Sequence, residues 1–178
     1  MTLAPYAGER RRCSGFSLLE LVIVVCVVAV LAGFGLEKML RYLEEAEKAA
    51  MEQTIGNMKS ALNLRLATMV VDGTIGKATG LAAENPMDWL ASRPENYLGA
   101  LYDPALDKTA KGNWYFDRQG AILVYLPMRT RHFVVGRDGK PWIRFAPVIR
   151  TREERNRTEV VEVDLHSIQP YNWFKDLK

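Results

Sequence analysis

The sequence predicts an α+β fold in which one long N-terminal helix packs on an antiparallel sheet of four to five strands. Three observations lead to this prediction: an apolar run at residues 16–36, a helical apolar stripe at residues 37–71, and two-residue alternation after residue 112. Apolar residues recur every three or four positions in amphipathic helices and every second position in half-buried strands. A helix and a sheet that each have one apolar face bury those faces against each other.

Residues 16–36 are the most apolar part of the chain, and Glu20 is the only charged residue among them. A helix needs roughly 20 apolar residues to cross the hydrocarbon core of a bilayer. Arg10, Arg11 and Arg12 precede this segment, and basic residues stay on the cytoplasmic side of a membrane helix. The sequence therefore predicts a single transmembrane helix with a cytoplasmic N-terminus and a C-terminal body on the other side.

Two alternatives for the N-terminus fit the sequence less well. A secretory signal peptide is cleaved after its apolar core, where Ala32-Gly33 is a weak candidate site. The length of the run opposes this, as does the carboxylate of Glu20, which costs roughly 2.5–3.5 kcal/mol at the bilayer centre and less near an end. Lipid attachment at Cys13 is not expected, because the apolar run follows that cysteine instead of preceding it.

A specific combination of residues surrounds Glu20. A glycine, a phenylalanine and a glutamate stand at fixed offsets before the apolar run, in the order Gly15-Phe16-Ser17-Leu18-Leu19-Glu20. This segment closely resembles the prepilin peptidase motif of type IV pilins and type II secretion pseudopilins. The resemblance implies cleavage between Gly15 and Phe16, N-methylation of Phe16, and a role for Glu20 in assembly through a neighbour's N-terminus. The new ammonium group would stand four residues before Glu20, and therefore on the same helix face.

The resemblance implies a structural subunit of a type IV pilus or a type II secretion pseudopilus, and not an enzyme. The implied partners are other pilin or pseudopilin subunits, prepilin peptidase, the lipid bilayer, and an inner-membrane assembly platform with a separate ATPase. The sequence has no glycine-rich phosphate loop of its own, so a partner must hydrolyse ATP. The implied location is the bacterial inner membrane, with the body in the periplasm or in an extracellular filament.

The cysteine content favours one subclass. The two cysteines are Cys13 and Cys26, so none follows residue 26. Many major pilins carry a disulfide in a C-terminal loop, and this departure favours a minor pilin or pseudopilin. The body must then be stabilised by core packing without a disulfide.

The composition divides the chain into five predicted segments. These are a leader at 1–15 that is removed, a transmembrane helix at 16–36, its amphipathic continuation at 37–71, a connecting loop at 72–112, and a sheet with a C-terminal tail at 113–178. The amphipathic stripe consists of Met51, Ile55, Met58, Leu62, Leu66 and Met69. Asp72-Gly73 favours a helix end, and Pro94–Gly99 is expected to be a fixed loop.

Strands are predicted by alternation and turn residues. Residues 113–117 and 121–126 flank Arg118-Gln119-Gly120, which predicts a hairpin. Residues 131–136 and 141–147 flank Asp138-Gly139, a strong signal for a type I′ hairpin turn. Residues 158–165 alternate again and complete the predicted sheet.

No catalytic or metal-binding arrangement is expected, and no cofactor. His132 and His166 stand apart from each other and from the cysteines, without the spacing of a metal site. Asp103, Asp107 and Asp117 do not form the run of alternating acidic ligands that calcium sites use. A single-span membrane enzyme is the least favoured alternative, because it would need a cluster of titratable groups.

Nucleic acid is not the expected partner, although a DNA-binding minor pilin in DNA uptake is the main alternative. The net charge is +3, of which the first 12 residues contribute +2 through three arginines and one glutamate, leaving +1 for the rest. The basic residues between Arg129 and Arg157 are interrupted by Glu153 and Glu154. A solvated strand edge, where charge discourages sheet pairing, explains this stretch better.

Overall fold

A computed structural model describes residues 16–102, 110–136, 138–154 and 157–174. The chain divides after Tyr42 into two compact units. The first is called the N-terminal unit, and the second, Leu43–Lys178, is called the body. The helix α1, Leu18–Val71, contains residues of both units.

The N-terminal unit is described from Phe16, and its residues form the first part of α1. Ser17 caps the helix, because its Oγ accepts the backbone N–H of Glu20 at 3.2 Å. Serine is favoured at this position because it satisfies an N–H that has no partner inside the helix. The apolar stretch of α1 has a mean hydropathy of 2.8 and none of it is buried. Among the described residues, α1 is the one helix long and apolar enough to cross a membrane.

In the body, the predicted stripe is the core-facing side of α1. Its buried residues are Met51, Ile55, Met58, Leu62 and Leu66. Met69, which is half-buried, packs against the cluster that contains Leu62 and Leu66. The helix ends at Val71, as the Asp72-Gly73 signal predicts. Gly73 follows with a φ of +67°, a conformation that glycine adopts without the steric cost other residues meet. Two 3-10 helices come next, at Ile75–Ala83 and Pro86–Trp89.

Seven strands follow in the described part of the body. They are β1 (Tyr97–Leu101), β2 (Asn113–Asp117), β3 (Ile122–Leu126), β4 (Phe133–Val134), β5 (Ile143–Glu154), β6 (Arg157–Ser167) and β7 (Asn172–Trp173). A five-stranded sheet has the order β1-β2-β3-β5-β6, and β4 pairs with β7 in a separate two-stranded sheet. The α+β fold with a long N-terminal helix and a five-stranded sheet is therefore confirmed.

The sheet differs from the prediction in being mixed, because β1 runs parallel to β2. The segment Pro94–Gly99 was expected to be a loop, but strand β1 begins at Tyr97. Gly99 has a φ of +100°, and the pairing is irregular between Tyr97 and Ala100. This irregularity breaks the alternation by which a strand is recognised in a sequence.

The first predicted hairpin is confirmed and the second is wrong. Strands β2 and β3 pair antiparallel, from Asn113 with Leu126 to Asp117 with Ile122. The residues before Asp138-Gly139 do not pair with those after it: β4 pairs with β7, while β5 pairs with β3 and β6. A turn does form, since the N–H of Gly139 donates to the carbonyl of Gly136 at 3.0 Å. Turn residues specify a change of direction, whereas strand partners are chosen by packing.

The main core lies between α1 and one face of the sheet. It includes Met51 and Met58 from the helix and Trp114, Phe116, Leu123, Tyr125, Phe145 and Trp173 from the strands. Alternate residues of β2 and β3 point to the other face, where Tyr115, Val124 and Leu126 are also buried. The first turns of α1 in the body meet two aromatic residues of this core, because Glu44 accepts a hydrogen bond from Trp173 and Glu47 accepts one from Tyr125.

Candidate processing and assembly site, and the carboxylates of the body

The predicted processing site stands immediately before helix α1. Gly15 lies outside the described residues, and Phe16 is the first described residue. Phe16 is not part of α1, and 78% of its surface is exposed. Helix α1 begins after the cap at Ser17, so Phe16 lies before its first turn.

Glu20 lies in the first turn of α1 and is exposed. The N-terminus of a helix carries a partial positive charge, which favours a carboxylate in the first turn by about 0.3–1 kcal/mol. Every residue from Phe16 to Leu36 is exposed, and Glu20 is the one charged residue among them. The arrangement combines one carboxylate with a fully exposed apolar helix, a combination suited to a bilayer or to neighbouring copies.

The body contains two further carboxylates that sequence reasoning missed. Glu44 is 2% exposed. It accepts the backbone N–H of His132 at 3.0 Å and Trp173 Nε1 at 3.0 Å, and it lies 2.8 Å from His132 Nδ1. Burial alone would raise the pKa of Glu44, but the hydrogen bonds from His132 and Trp173 outweigh it and hold that pKa below its usual value.

Glu47 lies one turn later and its side chain is 9% exposed. It accepts the hydroxyl of Tyr125 at 3.0 Å and the backbone N–H groups of Met128 at 2.6 Å and Arg129 at 3.2 Å. The Arg129 guanidinium is 3.5 Å away. Burial raises the pKa of Tyr125, and the neighbouring charge of Glu47 raises it further, so this tyrosine stays a hydrogen-bond donor.

A signal for these carboxylates was present in the sequence. Counting back from Met51 by four and by seven residues along the stripe leads to Glu47 and Glu44. Those positions face the core side of the helix. The predicted stripe began at Met51 and did not include them, and charged residues are rarely buried unless they are paired. His132, which was expected to be isolated, is the partner that makes the burial of Glu44 possible.

A cleft of about 260 Å³ lies beside Glu47. Met51, Trp114 and Tyr125, each at most 3% exposed, line it together with Met128 and Arg129. This surface is called the Glu47 cleft. Its polar groups already bond to each other, because Glu47 accepts from Tyr125, Met128 and Arg129.

No metal site is apparent in the described part of the chain, where no three His, Cys, Asp or Glu side chains are grouped to hold an ion. Asp103 and Asp107 lie outside the described residues. Asp117 accepts the backbone N–H of Gln119 at 2.9 Å, as a turn residue does. His166 lies 3.5 Å from Asp164 and 3.7 Å from Glu162 on β6. The expectation that the chain binds no metal or cofactor stays a prediction.

The basic stretch is partly neutralised within the body. Arg129 lies beside Glu47, and Arg150 forms an ion pair with Glu162 at 2.9 Å. Arg155 lies outside the described residues. Paired arginines offer less charge to phosphate groups than free ones, because counterion release depends on cations that can neutralise phosphates.

The N-terminal segment matches a known sequence model. The model described as the prokaryotic N-terminal methylation motif matches residues 10–36. The matched range contains Gly15, Phe16 and Glu20 together with the apolar run. Comparisons with curated proteins and with solved structures gave no match.

Proposed function

We propose that this chain, which is a type IV pilin-like protein made as a precursor for prepilin peptidase, is a structural subunit of a type IV pilus or a type II secretion pseudopilus. The observation that carries the proposal is the methylation motif at the start of an exposed apolar helical segment that is long enough to cross a membrane. A helix of this kind anchors the precursor in the membrane in a single pass. The same surface is available for packing against other subunits once the protein leaves the bilayer.

In this proposal the peptidase cleaves between Gly15 and Phe16 and then methylates Phe16. The placement of Phe16 before the helix and its high exposure support this assignment. Cleavage removes the leader 1–15, with its three arginines, and leaves residues 16–36 as the membrane part of the mature helix. The boundaries of the later segments, at 37–71, 72–112 and 113–178, belong to the same proposal.

Glu20 is the proposed assembly residue. A carboxylate at the centre of a bilayer costs roughly 2.5–3.5 kcal/mol and less near an end, so it gains by meeting a positive charge. Cleavage creates such a charge on Phe16, and neighbouring subunits each carry one. Pairing between Glu20 of one subunit and the N-terminus of the next would set the stagger between them.

The proposed location is the bacterial inner membrane, with the N-terminus in the cytoplasm and the body in the periplasm. The arginines before the apolar run support this orientation. The proposed partners are other pilin or pseudopilin subunits, prepilin peptidase, the bilayer, and an assembly platform driven by a separate ATPase. The lack of a cysteine after Cys26 favours the minor pilins and pseudopilins within the class.

The alternatives gain no support from the body. DNA binding would use the basic stretch, in which Arg129 and Arg150 already meet glutamates. The methylation motif points to a structural subunit and not to an enzyme.

The first experiment determines the N-terminus of the membrane-bound protein by mass spectrometry, with and without prepilin peptidase. We expect a start at N-methylated Phe16 only when the peptidase is present. Gly15→Val should leave the precursor uncut, whereas the control Gly8→Val should be processed like the wild type. A start near Gly33, or Met1 retained in both strains, would overturn the proposed processing.

Assembly is tested separately with Glu20→Ala. We expect this variant to be processed normally. Its amount in sheared filaments, or in pseudopili, should be at least tenfold lower than that of the wild type. The matched control is Glu52→Ala, which removes an exposed carboxylate of the same helix. Normal assembly of Glu20→Ala would refute the proposed role of Glu20 in assembly. The proposed cleavage between Gly15 and Phe16 would be unaffected by that result.

A further inference from the structure

The segment 128–132 crosses from β3 to β4, and the helix holds it by carboxylates. Three of its five backbone N–H groups donate to α1: those of Met128 and Arg129 to Glu47, and that of His132 to Glu44. This segment is called the strap. Backbone amides normally find carbonyl partners within secondary structure, so a loop that relies on two side chains of another element is unusual.

The two ends of the strap are fixed. Pro127 before it is buried, and Phe133 after it is 8% exposed and belongs to the main core. Within the strap, Met128 is 53% exposed. The His132 end is also held by Phe174, whose N–H donates to the His132 carbonyl at 3.0 Å and whose ring stacks on the His132 ring at 5.1 Å. The exposed Met128 adds little apolar burial at the other end, so the attachment of Met128 and Arg129, which line the cleft, depends mainly on hydrogen bonds to Glu47.

The strap forms one wall of the Glu47 cleft. Met128 and Arg129 line the cleft on the strap side, and Met51, Trp114 and Tyr125 line it on the core side. Those three core residues are at most 3% exposed. Movement of the strap away from Glu47 would widen the cleft and bring water to this apolar surface.

Proteins open locally where few apolar contacts hold a segment, without unfolding as a whole. We propose that the strap is a lid on the Glu47 cleft, held shut by the carboxylates of Glu44 and Glu47, and that it opens as a local unit while the core stays folded. The inference concerns the body alone and does not depend on the proposed assembly. The opened state exposes the surface of Met51, Trp114 and Tyr125 to water.

Glu47→Gln is the variant that tests the lid. The carboxylate accepts through both oxygens, Oε1 from Tyr125 and Met128 and Oε2 from Arg129. A glutamine has one acceptor oxygen and presents an NH₂ group at the other position, so at least one strap amide loses its partner. Glu52→Gln is the matched control, because it makes the same chemical change at an exposed position of the same helix.

Hydrogen exchange of the full chain in detergent micelles measures the opening. Relative to the wild type, we expect peptides covering 127–133 to exchange about tenfold faster in Glu47→Gln, as the loss of a hydrogen bond to a charged group implies. The exchange rates of peptides covering 114–125 should stay within about twofold of the wild type. In Glu52→Gln the peptides of both regions should stay within the same limit. Equal acceleration in both regions, or none in the strap, would overturn the proposal.

Methionine oxidation provides a second measurement that reports on the cleft. Met51 lines the cleft and Met58 lies in the core beyond it, and the two are 2% and 0% exposed. In dilute hydrogen peroxide the initial rate of sulfoxide formation at Met51 should rise about tenfold in Glu47→Gln, while Met58 stays unchanged, because sulfoxide formation follows exposure. If Met51 and Met58 change together, or Met51 does not change while the strap amides do, the strap is not a lid on this cleft.

Discussion

Replacing Glu44 by alanine removes a carboxylate that accepts hydrogen bonds from two distant parts of the body. The backbone of His132 and the indole of Trp173 both donate to Oε1, and the His132 ring lies beside Oε2. In Glu44→Ala these donors are left without an acceptor in a site that is 2% exposed. A buried donor left without an acceptor costs about 1–3 kcal/mol, and two such donors are a large part of the roughly 5–15 kcal/mol that stabilises a typical domain.

Glu44→Gln should be much less harmful. The amide oxygen can take the place of Oε1 and keep both of its donors, and the NH₂ group can donate to His132 Nδ1 if that ring adopts the other tautomer. The loss is then the extra strength of hydrogen bonds to a charged group, about 1–2 kcal/mol. Glu52→Ala is the control: its side chain is 52% exposed and 3.8 Å from Lys48, and such a surface pair contributes about 0.5 kcal/mol or less.

Urea unfolding of the full chain in detergent micelles, followed by tryptophan fluorescence, measures these differences. The four tryptophans are Trp89, Trp114, Trp142 and Trp173, and all of them belong to the body. The signal therefore follows the body and is insensitive to the membrane part of α1. A Glu44→Ala variant within about 1 kcal/mol of the wild type, or one no less stable than Glu44→Gln, would contradict the burial and bonding of Glu44.

Three further predictions concern pH, packing and backbone conformation. The pKa of Glu44 is lowered in the folded body. The ionised Glu44 therefore stabilises the body above its unfolded pKa of about 4.3, and this stabilisation is lost as the pH falls through the folded pKa. The difference in urea midpoint between the wild type and Glu44→Gln should shrink between about pH 6 and pH 3. Leu62→Ala, at a fully buried site, should lower the free energy of unfolding by about 2–5 kcal/mol, while Leu64→Ala, 70% exposed, should change it by less than about 0.5 kcal/mol in the same urea titration. Gly112→Ala forces a side chain on a residue with a φ of +80° and should lower the thermal midpoint by several degrees, as a loss of about 1 kcal/mol does; Gly80→Ala, with open space around it, should not.

Local patterns in the sequence predicted local structure well. The stripe from Met51 to Leu66 is set by the 3.6-residue period of the helix, and the core confirms it. The hairpin of β2 and β3 joins neighbours in the chain, so its turn and its alternation were both visible. The motif around Glu20 is a short run of residues, and the sequence model matches it without any knowledge of the fold.

Long-range choices were not predictable from the same patterns. The pairing of Phe133 with Trp173 joins residues far apart in the chain, and no local signal distinguishes it from a hairpin across Asp138-Gly139. The burial of Glu44 depends on the same pairing, since His132 and Trp173 are brought together there. A carboxylate looks like a surface residue until its donors are known.

The bond from Trp173 to Glu44 spans 129 positions of the chain, and those from Tyr125 and Met128 to Glu47 span 78 and 81. During synthesis the helical glutamates emerge long before their donors, and the apolar helix before them is already available for insertion. The body can therefore complete its folding only after the ribosome has reached Trp173. Until then Glu44 and Glu47 remain hydrated charges, which keeps the first turns of the body's helix soluble while the rest of the chain is made.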